Sequence, residues 1–171
     1  MVDSRRVIRD ARSGHLPNFS VVLPNDVNSQ HNRFSMMRGD NWIARVVGSI
    51  MNGPDWSSTA IFITYDDCGC FYDHVPPPRG MGIREPMVIV SPYARPQFTD
   101  RSVASFASML AYTERVFGLS PLGRRDAGAY DYANSFDYRQ SPLPPVRLTA
   151  HAMPLASRGH VAKPGSVPDD T

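Results

Sequence analysis

Two short runs of uninterrupted apolar residues limit what this chain can fold into more than any other feature. Ala60-Ile61-Phe62-Ile63-Thr64 and Met87-Val88-Ile89-Val90-Ser91 are too short for a helix of ordinary length, and they are rich in β-branched side chains. Such runs fit strands covered on both faces, as in the sheet of an α/β protein. A third strand is expected at Phe19-Ser20-Val21-Val22-Leu23, where Pro24-Asn25-Asp26 supplies the stop.

A helix falls between the strands expected at 19–23 and 60–64. From Asp40 to Asn52, residues Trp42, Ile43, Val46, Val47, Ile50 and Met51 form one stripe at helical spacing. Asp40 can cap its start, and Gly53-Pro54 ends it. The strand, helix, strand order allows a parallel pair with a right-handed crossover. A second helix is predicted over 102–117, with Val103, Phe106, Met109, Leu110, Thr113 and Phe117 facing the core and Gly118 in the left-handed cap position. Three strands are few for a doubly wound sheet, so the chain reads as part of one.

Residues 1–15 read as a frayed lead-in or short helix, 16–140 as the folded part, and 141–171 as a Pro-rich tail, poorly ordered from about residue 150. The tail carries His151 and His160, which are expected to be inert. No internal repeat or second domain is visible. With 42% apolar and 20% charged residues the chain can bury a core. Its formal charge of +2 comes with scattered arginines, which argues against nucleic acid as a partner. No apolar run approaches the roughly 20 residues of a membrane-spanning helix. The first residues, Met1-Val2-Asp3-Ser4-Arg5-Arg6, show no secretory signal.

The stretch Tyr65-Asp66-Asp67-Cys68-Gly69-Cys70 carries the most chemistry. Two adjacent carboxylates follow a buried strand, where open α/β sheets place their ligands, and Gly69 lets the chain turn directly after them. Paired carboxylates repel each other unless a proton or cation lies between them. A hard oxygen site of this kind suits a divalent ion. The competing reading is that Asp66 and Asp67 only start a turn by bonding nearby backbone N–H groups.

His31, in the polar loop after the first expected strand, suits an anionic phosphate or a metal, though a loop His is often simply solvated. His74 follows Asp73, which can orient it for proton donation; packing beneath the Pro76-Pro77-Pro78 loop is the alternative. Cys68 and Cys70 sit one Gly apart and read as residues of a turn. No Ser, Thr or Cys lies in a pattern that marks a nucleophile.

The order of motifs resembles a bacterial phosphoesterase family that includes phospholipases C and an acid phosphatase. The resemblance rests on Leu16-Pro17-Asn18-Phe19-Ser20, Gly39-Asp40-Asn41-Trp42, the run from Trp56 to Thr64 leading into Asp66-Asp67, Phe71-Tyr72-Asp73-His74-Val75-Pro76-Pro77, Val88-Ile89-Val90-Ser91-Pro92-Tyr93-Ala94 and Phe117-Gly118-Leu119. It implies a partial alkaline-phosphatase-like parallel sheet flanked by helices, Asp66 and Asp67 as ligands of a divalent metal ion, and His31 at the phosphate. It also implies a phosphate ester or phospholipid substrate, and relatives that are often exported.

The family's acidic-plus-Asn metal motif and its Ser or Thr nucleophile have no counterpart in residues 1–15. The chain is therefore expected to be the C-terminal part of such a domain, with the N-terminal portion as a partner and little activity alone. Asn32 replaces a common Asp, Cys68-Gly69-Cys70 replaces Trp-Gly-Gly, and Phe106 stands where some relatives carry His. A non-catalytic module that binds metal, phosphate or a partner is the alternative, and a thiol redox protein is a distant third.

Overall fold

A computed structural model describes residues 4–69 and 71–153. Cys70, His160 and the expected disorder of residues 154–171 lie outside the described residues. The chain forms two compact units. One comprises Met1–Ser58, Asp67–Tyr72 and Pro145–Thr171; the other comprises Thr59–Asp66 and Asp73–Pro144.

The first unit is helical. Helix α1, Ser4–Ser13, settles the reading of the lead-in in favour of a helix. Val7 and Ala11, four residues apart on one face, are both buried, Ala11 to 1% exposure. The helix packs on α2, Met36–Met51, whose Val46, Val47, Ile50 and Met51 form the other buried side. The start of α2 differs from expectation. Ser35, not Asp40, caps it, its side chain accepting from the Arg38 amide at 3.3 Å, because four further residues upstream of Asp40 join the helix.

Residues 19–23 form no strand, and Phe19, Val21 and Leu23 are exposed. β-branched content favours a strand only where a neighbouring strand completes the hydrogen-bond ladder and one face is packed. No described strand pairs with this segment.

In the second unit, β1 (Ile61–Thr64) and β2 (Met87–Val90) stand where the apolar runs predicted them. They pair antiparallel, with Phe62 opposite Ile89 and Thr64 opposite Met87. The parallel sheet implied by the resemblance is therefore corrected, and the parallel pair expected of 19–23 and 60–64 is not formed, since 19–23 is no strand. A parallel pair needs a crossover, usually helical, and the connection between Thr64 and Met87 contains no helix among its described residues. Nor are the strands covered on both faces. Phe62 and Ile89 pack on the core, while Val88 is 54% exposed.

That core is aromatic. Tyr112, Tyr132 and Phe136 are buried at its centre, with Phe62, Met87, Ile89, Met109 and Tyr130 around them. Phe62 meets Tyr112 edge-on at 5.0 Å, and Tyr112 stacks on Phe136 at 4.9 Å, separations typical of favourable ring pairs. Tyr112 comes from α3, Phe106–Phe117, which begins at a Ser105–Ser108 capping box. It ends at Gly118 with φ +64°, the left-handed cap expected of that glycine.

The face of α3 is rotated from the expected one. Met109 and Tyr112 point to the core, while Phe106, Leu110 and Phe117 remain exposed. A helix apolar on two sides does not reveal by periodicity which side meets the sheet. Residues beyond Leu122, where periodicity fades, form the short α4 (Arg124–Ala127), a 3₁₀ turn at Ala133–Ser135, and much of the core. The fold is thus mixed α/β, with helices and, among the described residues, one two-stranded sheet. No helix among the described residues is long and apolar enough to cross a membrane.

Candidate functional site

In the first unit the sequence builds a loop on the opening turns of α2. The chain enters through a 3₁₀ turn at Asp26–Asn28 and reaches Gln30, which is buried in the left-handed region at φ +65°. The Gln30 side-chain amide donates to the Met36 carbonyl at 2.9 Å. Gly39 makes this approach possible: a Cβ there would lie 2.1 Å from Gln30 Cγ and 2.8 Å from the Asn28 carbonyl oxygen. The next residue is His31, half-buried.

His31 Nδ1 lies 3.1 Å from the Asn32 carbonyl oxygen. A carbonyl can only accept, so Nδ1 carries the proton and the neutral ring keeps its lone pair on Nε2. Such a ring can accept a proton or bind a metal at Nε2, and once protonated it can donate there to an anion.

The turn that follows Asp67, in the same unit, meets this loop. The Asn32 amide donates to the Gly69 carbonyl at 3.3 Å, and a side chain at position 69 would begin 3.7 Å from His31 Cα. Gly69 has φ +51°, a conformation that costs other residues roughly 1–2 kcal/mol. Its amide donates to Asp67 Oδ1 at 2.6 Å, and the Phe71 amide closes the turn on the Cys68 carbonyl at 2.8 Å. The turn-starting role weighed for the aspartates is therefore realised at Asp67. Cys68 lies in that turn, as expected.

Asp66 belongs to the second unit, after β1, and both carboxylates are exposed. They offer two hard oxygen donors, the right chemistry for a divalent ion. Among the described residues no group of three or more His, Cys, Asp or Glu is arranged to hold one. The two donors fit in kind and fall short of the roughly six or more oxygens that a calcium-like ion takes.

His74, also in the second unit, is exposed rather than packed under the prolines. The expected Asp73–His74 hydrogen bond is replaced. Asp73 accepts from Arg84 Nε at 2.8 Å and from the Val75 amide at 2.9 Å. The Arg84 bond, then the Val75 amide, holds its carboxyl below the usual range, with the charge of His74 a minor contributor. Arg84 was not foreseen, because a partner eleven residues away across a loop leaves no periodic signal. Residues 76–82 form the exposed loop expected of Pro76-Pro77-Pro78-Arg79-Gly80-Met81-Gly82.

Comparison with known proteins bears on what this arrangement serves. Non-specific phospholipase C1 of Arabidopsis thaliana is 29% identical over 184 residues, covering 82% of this chain and 34% of the relative. Phospholipase C B of Mycobacterium tuberculosis is 27% identical over 167 residues, covering 79% and 32%. Non-hemolytic phospholipase C of Burkholderia pseudomallei is 27% identical over 140 residues, covering 64% and 20%. The chain spans about a third of the length of the first two. The model of the phosphoesterase family matches residues 3–120, which include His31, Asp66, Asp67 and His74, and the chain belongs to that family.

Proposed function

We propose that this chain contributes the paired-carboxylate part of a hydrolase that cleaves phosphate ester bonds, of the phospholipase C or acid phosphatase type. The observation that carries the reading is the bond from the Asn32 amide to the Gly69 carbonyl. It holds the Asp67 turn against the loop of His31, in a chain of the phosphoesterase family.

In this reading Asp66 and Asp67 would contribute carboxylates to a divalent ion, and the chemistry such an ion would supply there is polarisation of a phosphoryl oxygen. His31, its Nδ1 proton engaged by Asn32, meets the phosphate through Nε2. His74 serves as an exposed proton donor, without help from Asp73. The substrate is a phosphate ester, with phospholipid as the class that the names of the relatives suggest. The remaining ligands and the Ser or Thr nucleophile would come from a further portion of the domain, so the 171-residue chain alone turns over weakly or not at all.

Calorimetric titration of Mg²⁺, Mn²⁺, Ca²⁺ and Zn²⁺ into the wild type and the Asp66→Asn/Asp67→Asn double variant tests the carboxylate role. Binding heat that disappears in the variant supports it, and equal heat in both sinks it. Metal-dependent hydrolysis of p-nitrophenyl phosphate at ordinary enzymatic rates by the chain alone would remove the need for a further portion. Ion binding with no effect on any ester, even with that portion added, would leave a non-catalytic module.

A further inference from the structure

We infer that the opening of α2 is a docking site for an extended peptide, filled in this chain by its own residues near His151, so that the segment 145–153 is a strap rather than a loose tail. Asn41 makes the central contact. Its side-chain amide donates to the His151 carbonyl at 2.9 Å, and its side-chain oxygen accepts from the His151 amide at 2.7 Å.

A primary carboxamide can present an N–H donor and its oxygen acceptor on one side, as a strand residue presents its own N–H and C=O. The two bonds therefore reproduce the reciprocal pair that two antiparallel strands exchange at one residue. This pairing reads backbone alone and demands an extended segment. Beside it, His151 Nε2 lies 3.1 Å from Asp40 Oδ2. Both side chains are exposed, and an ion pair of that kind contributes little affinity. Its use is in selecting which residue of the strap sits at Asn41.

The site adjoins the candidate functional loop along one helix. Gly39 receives Gln30, the neighbour of His31, while Asp40 and Asn41 hold the strap. The contact joins residues 110 apart in sequence, so it closes a large loop of chain onto the turn that also anchors His31. Residues 147–151 have no regular structure, and among the described residues the Asn41 pair and the Asp40–His151 contact fasten their C-terminal end.

Hydrogen–deuterium exchange on the full chain, resolved to the His151 amide, tests this. The wild-type amide is expected to be protected. In Asn41→Ala its exchange should rise about five- to tenfold, the factor that one net hydrogen bond supports, while the amides of α2 keep their protection. Asn41→Asp, which retains the acceptor, should preserve protection of this amide.

His151→Pro provides a check that leaves α2 untouched, because it removes the backbone donor from the strap side. Trypsin should then cut the Arg147–Leu148 bond at least about fivefold faster than in the wild type. A wild-type His151 amide that exchanges freely, or a cutting rate unchanged by His151→Pro, overturns the strap.

Discussion

Tyr130 donates its hydroxyl to Asp100 at 2.5 Å, and the same carboxylate oxygen accepts from the Ser135 hydroxyl at 2.7 Å. The Ser102 amide reaches the other oxygen at 2.9 Å. One carboxylate thus ties the segment before α3 to the 3₁₀ turn that brings Tyr132 and Phe136 into the core.

The tie has a pH signature. Burial by itself would raise the Asp100 carboxyl, but the Tyr130 hydroxyl, the Ser102 amide and the Ser135 hydroxyl outweigh it and bring the value down to about 2. The folded value lies below the unfolded one, so the stabilisation is complete above about pH 4 and is lost as pH falls through about 2. Denaturant unfolding at pH 7 and pH 3 should show Asp100→Ala destabilised by about 2–4 kcal/mol at pH 7, since three donors lose their acceptor. The deficit should shrink at pH 3. Tyr130→Phe should cost about 1 kcal/mol.

At Asp67 two substitutions separate structure from ion binding. Asn keeps an oxygen to accept from the Gly69 amide and loses the charge; Ala loses both. Asp67→Asn should unfold within about 0.5 kcal/mol of the wild type but with reduced heat on divalent-ion titration. Asp67→Ala should in addition lose about 1 kcal/mol of stability. Full ion binding by Asp67→Asn would remove Asp67 from the proposed site.

Gly39→Ala should be destabilising even though alanine is the better helix former by about 1 kcal/mol. The added methyl meets Gln30 Cγ and, less forgivingly, the backbone oxygen of Asn28. Overpacking of this kind costs about 1–3 kcal/mol, and the shift should appear in the NMR signals of the His31 ring. A variant as stable as the wild type, with those signals unmoved, would mean that α2 does not set the loop.

The antiparallel register of the small sheet predicts unequal costs on its two faces. Ile89→Ala, on the side of β2 that packs on the aromatic core, should cost about 2–3 kcal/mol. Val88→Ala, on the exposed side of β2, should stay within about 0.5 kcal/mol. Urea unfolding of both variants checks this, and comparable losses would refute the assignment of faces.

The local elements were legible from the residues because their causes are local. Four-residue apolar runs marked β1 and β2, an i, i+3, i+4 stripe marked α2, and a lone glycine marked the left-handed end of α3. The aspartate pair and His31 stood out because hard carboxylates and a loop imidazole are chemically conspicuous. At Asp67 the side-chain oxygen starts the turn, the competing reading of the pair.

Pairing lay beyond that reading. Residues 19–23 have strand composition without a described ladder partner, β1 met β2 antiparallel, and α3 turned Tyr112 inward beside Met109 while Phe106 and Leu110 stayed exposed. Asp73 went to Arg84 and Asn41 to His151. Each of these depends on which distant groups compete for one acceptor or one face, a free-energy comparison that spans the whole chain. Periodicity and composition report the affinity of a segment for being buried or turned; only the folded arrangement decides what it is buried against.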